Sequence, residues 1–188
     1  MNGSALALLD AGMAFSLILL VAPARSGKTT LLRRWSATRA IPVAWVGLDS
    51  TDNAPARFLR HLTSALEAIR RRVGIPALFF EGAQGSEGAQ GSERVQGSEE
   101  TRDGESLADG IVELLNTAAE AAEHFALVLD AYQEIGEPAV HEAVALMLDY
   151  PPPCLHLVIA SRVAPPLPLA RLRVRRQLLE LGPDDLAR

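Results

Sequence analysis

The sequence is short of cysteine, of aromatic side chains and of positive charge. A single cysteine, Cys154, cannot close an internal disulfide, which fits a reducing, cytoplasmic compartment; a buried thiol is the expectation for it rather than a nucleophile. With 48% hydrophobic and 5% aromatic residues, the composition is that of an ordinary globular core. The net charge of -5 excludes a nucleic-acid surface on this segment, because neutralising phosphates needs clustered Lys and Arg. The one basic cluster, Arg171, Arg173, Arg175 and Arg176, is local and reads as a solvated face or domain contact before it reads as an anion site. A membrane span is excluded on length: the apolar, uncharged segment 11–24 falls short of the roughly 20 residues a helix needs. No Lys or Arg precedes it, as a signal peptide would require, so a buried strand is expected there. The four histidines, His61, His124, His141 and His156, show no metal-ligand spacing.

What is present is an alternation of apolar runs and amphipathic stretches. Residues 16–22 (SLILLVA) form a continuous apolar run without alternation, as expected of a strand covered on both faces. A loop follows, then a helix from Lys28 with Leu31, Leu32 and Trp35 on one face. Residues 42–48 give a second buried strand. The polar turn 49–53 and Pro55 open a second helix with the stripe Phe58, Leu59, Leu62, Leu66 and Ile69. Further on, residues 107–123 predict a helix, 125–130 (FALVLD) a strand ending in an acid, 137–148 a helix, and 155–160 a strand before Ser161-Arg162. A proline-rich turn and a last apolar stretch, 177–181, close the pattern. Strands alternating with helices predict an α/β three-layer sandwich with a mainly parallel central sheet.

One segment breaks the pattern. Residues 82–99 read GAQGSE, GAQGSE, RVQGSE, and a repeat whose one aliphatic residue beyond alanine is Val95 cannot fill the rungs of a solenoid. Residues 81–105 are expected to be a disordered insertion in a single domain of residues 1–188, tolerated because loop-closure entropy grows slowly with length.

The loop after the first strand, APARSGKTT at 22–30, ends as a phosphate-binding loop ends. The pattern needs backbone amides turned to a phosphate, a lysine reaching the β- and γ-phosphates, a hydroxyl for magnesium, and the positive end of a helix dipole. Gly27, Lys28 and Thr29 match, within a candidate site of Ala24, Arg25, Ser26, Gly27, Lys28, Thr29 and Thr30, so the sandwich is expected to be a P-loop NTPase binding ATP or ADP. Lys28 at a helix start is electrostatically disfavoured unless an anion meets it. Arg25, if its φ is positive, carries a cost that a phosphate contact can offset.

Asp130 at a strand end is the candidate magnesium partner with Thr29, through water, on a strand neighbouring the first. Many ATPases place a second acid next, and here that place is Ala131, which leaves Glu134 as the nearest substitute base and predicts slow hydrolysis. Arg162, at the C-terminal end of a strand, stands where ligands gather in open α/β sheets and can sense a γ-phosphate.

Taken in order, LILLVAPARSGKTTLLRRW, PVAWVGLDSTDNAPARFLRHLTSAL, FALVLDAYQEIGEPAVHEAVALML and LHLVIASRVAPPLPLARLRVRRQLLEL resemble the nucleotide-binding domain of the MalT-like, large ATP-binding LuxR-type transcriptional regulators, members of the STAND class of P-loop ATPases. The resemblance covers nearly the whole chain outside the repeat, and the final motif is its most specific part. The family commonly has alanine at Ala22, usually glycine at Arg25, and a second aspartate at Ala131. The last two departures bear on tight binding and on hydrolysis. The resemblance implies an ATP-controlled switch: ADP holds an inactive monomer, and ATP with an inducer promotes self-association and transcription activation. Arg162 falls on the family's sensor arginine. Such regulators carry winged-helix, helical-repeat and DNA-binding parts beyond this domain, so DNA is expected as a partner only through parts of that kind. Two other readings stay open on the sequence: a small-molecule phosphotransferase using the same loop, and a degenerate domain that binds no nucleotide.

Overall fold

The computed structural model describes residues 3–38, 41–76 and 99–186. Five strands, β1 (Leu17–Val21), β2 (Val43–Gly47), β3 (Phe125–Asp130), β4 (Leu155–Ser161) and β5 (Leu178–Leu181), form one sheet in the order β2-β3-β4-β1-β5. Every pairing is parallel. The central strands β1, β3 and β4 are largely apolar because both their faces are covered, whereas the edge strands β2 and β5 are only partly buried. Leu17 and Leu19 of β1, Leu127 and Leu129 of β3, and Leu157 and Ile159 of β4 point into one core. Their neighbours Ile18, Leu20, Val128, Val158 and Ala160 point into the other.

The two cores are closed by different helices. Helices α1 (Gly3–Gly12) and α2 (Lys28–Thr38) cover one face through Leu9, Leu31, Leu32 and Trp35, and the Trp35 indole donates to Asp10 across 2.9 Å. Helices α3 (Pro55–Val73), α4 (Glu99–Ala119) and α5 (Pro138–Asp149) cover the other through Phe58, Leu62, Leu66, Ile111, Leu114, Val140 and Val144. Trimming any one of these fully buried leucines to alanine costs about 2–5 kcal/mol. Helix α3 stops at Gly74, whose φ of 73° gives the left-handed cap. Short helices α6 (Leu169–Val174) and α7 (Pro183–Leu186) flank β5. No helix among the described residues is long and apolar enough to cross a membrane.

The three-layer α/β expectation holds, with a sheet that is wholly parallel. Four details differ. The apolar segment 11–24 is not one strand: it takes in the end of α1, a turn and β1, and α1 itself carries no sharp apolar stripe to announce it. Helix α4 starts at Glu99, inside the segment read as an insertion; residues 81–98 lie outside the described residues. Part of the proline-rich turn coils into α6. Strand β3 is not a neighbour of β1, because β4 lies between them.

Candidate functional site

The register of the sheet brings the singled-out residues to one edge. Val21 of β1 pairs with Ser161 of β4, Leu129 of β3 pairs with Ile159, and Gly47 of β2 pairs with Asp130. The chain therefore leaves β1 into the loop, β3 into Ala131 and β4 into Arg162 at the same end. A bond from Ala22 N–H to the Ser161 carbonyl, 3.3 Å, ties the first and last of these exits together. The C-terminal edge of a parallel sheet is where such folds collect ligands.

A cavity of about 510 Å³ opens there, lined by Ala24, Arg25, Ser26, Gly27, Lys28, Thr29, Thr30, Asp130, Ala131, Gln133 and Arg162. The loop turns through two left-handed residues. Gly27 has φ 88° with open space where a Cβ would stand, and Arg25 has φ 62°, a conformation that costs an L-residue about 1–2 kcal/mol. The Arg25 side chain is exposed at the mouth.

Lys28, the first residue of α2, is buried. Its ammonium donates to the carbonyls of Ala22 (2.5 Å) and Pro23 (2.8 Å) and to the Ser26 hydroxyl (3.3 Å), so the loop closes around its own lysine. Burial holds its pKa below the usual lysine range; the Arg162 charge pushes the same way and the Asp130 carboxylate opposes both. Among the residues lining the cavity three cations, Arg25, Lys28 and Arg162, face one carboxylate, Asp130, a balance that favours an anion.

Thr29 donates its hydroxyl to Asp130 Oδ1 across 3.2 Å, although their elements are not sheet neighbours. The same Oδ1 accepts the Ala131 N–H at 3.0 Å. Ala131 takes φ 63°, which swings the chain into the 3-10 turn Tyr132–Glu134. A threonine hydroxyl and a carboxylate at the cavity wall are hard oxygen donors of the kind magnesium takes beside a phosphate, and the pair fits that ion.

Glu134 does not line the cavity. Its carboxylate accepts from the Gln133 amide at 3.1 Å and lies 3.9 Å from the Arg162 guanidinium, so it faces those two groups and not the position of a base acting inside. Two residues were missed by sequence reasoning. Gln133 lines the cavity and accepts the Arg162 backbone N–H at 3.0 Å. Asn53 holds the whole turn after β3: its amide donates to the Glu134 carbonyl (2.9 Å), and its oxygen accepts from Gly136 N–H (2.7 Å) and Glu137 N–H (2.8 Å). A polar residue in a turn carries no signal of which distant backbone it will meet.

Of the arginine cluster, Arg173 forms a double hydrogen bond with Glu180, both contacts 2.7 Å, which holds the Glu180 carboxyl below its usual range. Arg171 pairs with Asp149. All four arginines are exposed, and these two ion pairs lie on the surface of the domain itself. Cys154 is buried and donates to the Ala118 carbonyl at 3.0 Å; burial pushes its thiol pKa up, away from a nucleophile's. Among the described residues no group of three or more histidine, cysteine or acidic side chains is placed to hold a metal ion.

No family model matches the chain. Curated proteins do. The HTH-type transcriptional regulator MalT of Yersinia enterocolitica is 35% identical over 173 residues, 92% of this chain and 17% of the relative. MalT of Cronobacter sakazakii is 35% identical over 182 residues, 97% of this chain and 18% of the relative. The chain thus spans less than one fifth of the length of the curated relatives it matches. Among solved structures, a Signal Transduction ATPase with Numerous Domains (STAND) protein with a tetratricopeptide repeat sensor from Pyrococcus horikoshii superposes with TM-score 0.50 at 13% identity, over 94% of this chain and 22% of that one. Cdc6p from Pyrobaculum aerophilum superposes with TM-score 0.51 at 15% identity, over 93% of this chain and 43% of that one. The chain is a homologue of one segment of the MalT regulators, and its fold is the one that these two solved structures share.

Proposed function

We propose that this MalT-related domain is a cytoplasmic nucleotide switch, one that binds ATP and ADP with magnesium and hydrolyses ATP slowly. The observation that carries the reading is the convergence of Lys28, Thr29, Asp130 and Arg162 on one cavity above a left-handed loop. The loop and the start of α2 would cradle the phosphates that ATP and ADP share, with Lys28 exchanging its contacts to Pro23 and Ser26 for phosphate oxygens. Thr29 and Asp130 would hold magnesium, which neutralises phosphate charge when bound. Arg162 would meet the terminal phosphate of ATP. Slow hydrolysis rests on Ala131: the place next to Asp130 holds a methyl group, and Asp130 Oδ1 already serves Thr29 and the Ala131 N–H. Nucleotide-dependent self-association belongs to the same proposal, and contact with DNA would fall to other parts of a longer regulator.

Calorimetric titration with Mg-ATP and Mg-ADP tests the reading. The native chain should bind both, and Lys28→Ala should weaken each about 10–100-fold, the worth of a charge-assisted contact. No heat from the native chain would refute the switch.

A further inference from the structure

Glu134 and Gln133 form, with Arg162, a closed ring of contacts on the outer wall of the cavity. The Arg162 backbone N–H donates to Gln133 Oε1 at 3.0 Å, the Gln133 amide donates to Glu134 Oε1 at 3.1 Å, and that same Oε1 lies 3.9 Å from Arg162 Nη1. The ring is anchored from behind, since the Glu134 carbonyl is held by Asn53. Gln133 and Arg162 line the cavity; Glu134 does not. The carboxylate therefore draws the guanidinium from outside while the Arg162 backbone is fixed at the end of β4.

We propose that Glu134 is a built-in competitor for Arg162: its carboxylate occupies the guanidinium until the terminal phosphate of a nucleoside triphosphate displaces it, and this exchange sets the preference between triphosphate and diphosphate. The inference rests on the nucleotide reading of the cavity and adds to it a specificity-determining residue. The pair is suited to exchange because it is weak. Its side chains are 56% and 38% exposed, at a separation beyond a direct hydrogen bond, and pairs of this kind shift an equilibrium about five-fold at most. A phosphate offers more charge and two oxygens to one guanidinium, so it wins the competition. The like charge of Lys28 adds a second drive: burial first and the Arg162 charge second hold the Lys28 pKa down, and an anion between the two cations relieves their repulsion. A diphosphate held by the loop leaves Arg162 with Glu134. The two liganded states then differ in whether the turn after β3 is tied to the end of β4 through this carboxylate, which gives the domain two arrangements to report.

The test is calorimetric titration of the native chain, Glu134→Gln, Arg162→Ala and the double variant with Mg-ATP and Mg-ADP. Glu134→Gln keeps the Gln133 contact and removes the competing charge. It should tighten Mg-ATP about three- to five-fold and leave Mg-ADP within about two-fold. Arg162→Ala should weaken Mg-ATP selectively, and adding Glu134→Gln to it should change nothing. Glu134→Ala, measured in parallel, should show the same triphosphate-selective gain. An equal shift in both nucleotides, no gain for Mg-ATP, or a gain that persists without Arg162 would overturn the inference while leaving the nucleotide reading intact. A native chain that binds neither nucleotide would overturn both.

Discussion

Thr29 and Asp130 stand 101 positions apart in the chain and 3.2 Å apart in space, hydroxyl to carboxylate. The contact joins the first turn of α2 to the end of β3 over the intervening β4, so the helix and not strand adjacency brings the two oxygens together. It also fixes what a divalent ion would have to do, which is to enter between two donors that now satisfy each other.

Asp130→Asn should therefore separate metal-assisted from metal-free binding. The amide can still accept from Thr29 but has lost the charge that a magnesium ion needs. Affinity for Mg-ATP should fall about ten-fold or more, in line with the roughly 1.5–3 kcal/mol of a contact to a charged group, while affinity for ATP in excess chelator should not fall, since Asp130 then has no ion to hold. Equal losses with and without magnesium would remove Asp130 from the metal's surroundings.

Ala131 supports a gain-of-function expectation. Its φ of 63° is a conformation that aspartate tolerates better than most L-residues, so Ala131→Asp adds a carboxylate at the cavity wall without forcing the backbone. A positioned general base is worth about 10²–10⁴-fold in rate. Phosphate release from Mg-ATP should rise by at least about ten-fold over the native chain. Rapid turnover by the native chain would show that Ala131 is no obstacle.

Much of this was legible in the sequence. The buried strands announce themselves because a parallel strand covered on both faces has no polar alternation: LILLV and FALVLD are apolar from end to end until the acid. The loop is legible because its chemistry is local, with glycine, lysine and threonine consecutive. Strand order is not, because nothing in β1 says that β4 will lie against it before β3 does. Arg25 posed a conditional cost, and the φ of 62° makes that cost real. Glu134 was singled out for its charge and its nearness to Asp130 in sequence, yet its direction depends on Arg162 and Gln133, which the sequence does not place.

Asn53, the last residue of the polar turn 49–53, anchors the turn after β3, and that role can be measured. It donates to Ser50 O and Glu134 O and accepts from Gly136 and Glu137. Asn53→Ala removes these and leaves two backbone N–H groups without their acceptor. A loss of about 2 kcal/mol in unfolding free energy is expected, within the range for unsatisfied polar groups. Mg-ATP affinity should fall with it, because the turn carrying Gln133 and Glu134 loses its anchor. A denaturant midpoint within error of the native value would show that the turn holds itself.

The opposite end of the sheet gives a pH dependence independent of nucleotide. His124 Nδ1 and His156 Nε2 are 3.0 Å apart, and with ring centroids 5.3 Å apart at 21° the rings meet end to end rather than face to face. His156 Nδ1 lies 3.4 Å from the Phe15 carbonyl, which can only accept, so the neutral arrangement has His156 donating to Phe15 and His124 donating to His156. Burial lowers the His156 pKa below its ordinary 6.5; the Phe15 carbonyl opposes this and His124 reinforces it. Burial lowers His141, beside Tyr132, as well. With folded values below the unfolded one, the unfolded chain takes up protons first on acidification. Stability is thus complete above about pH 7.5 and declines as the pH falls through 6.5 toward the folded pKa values. The melting temperature of the native chain should drop between about pH 7.5 and 5.5, and the drop should shrink, without vanishing, in His156→Gln, because His141 still titrates. An unchanged slope in that variant would assign the loss to other groups.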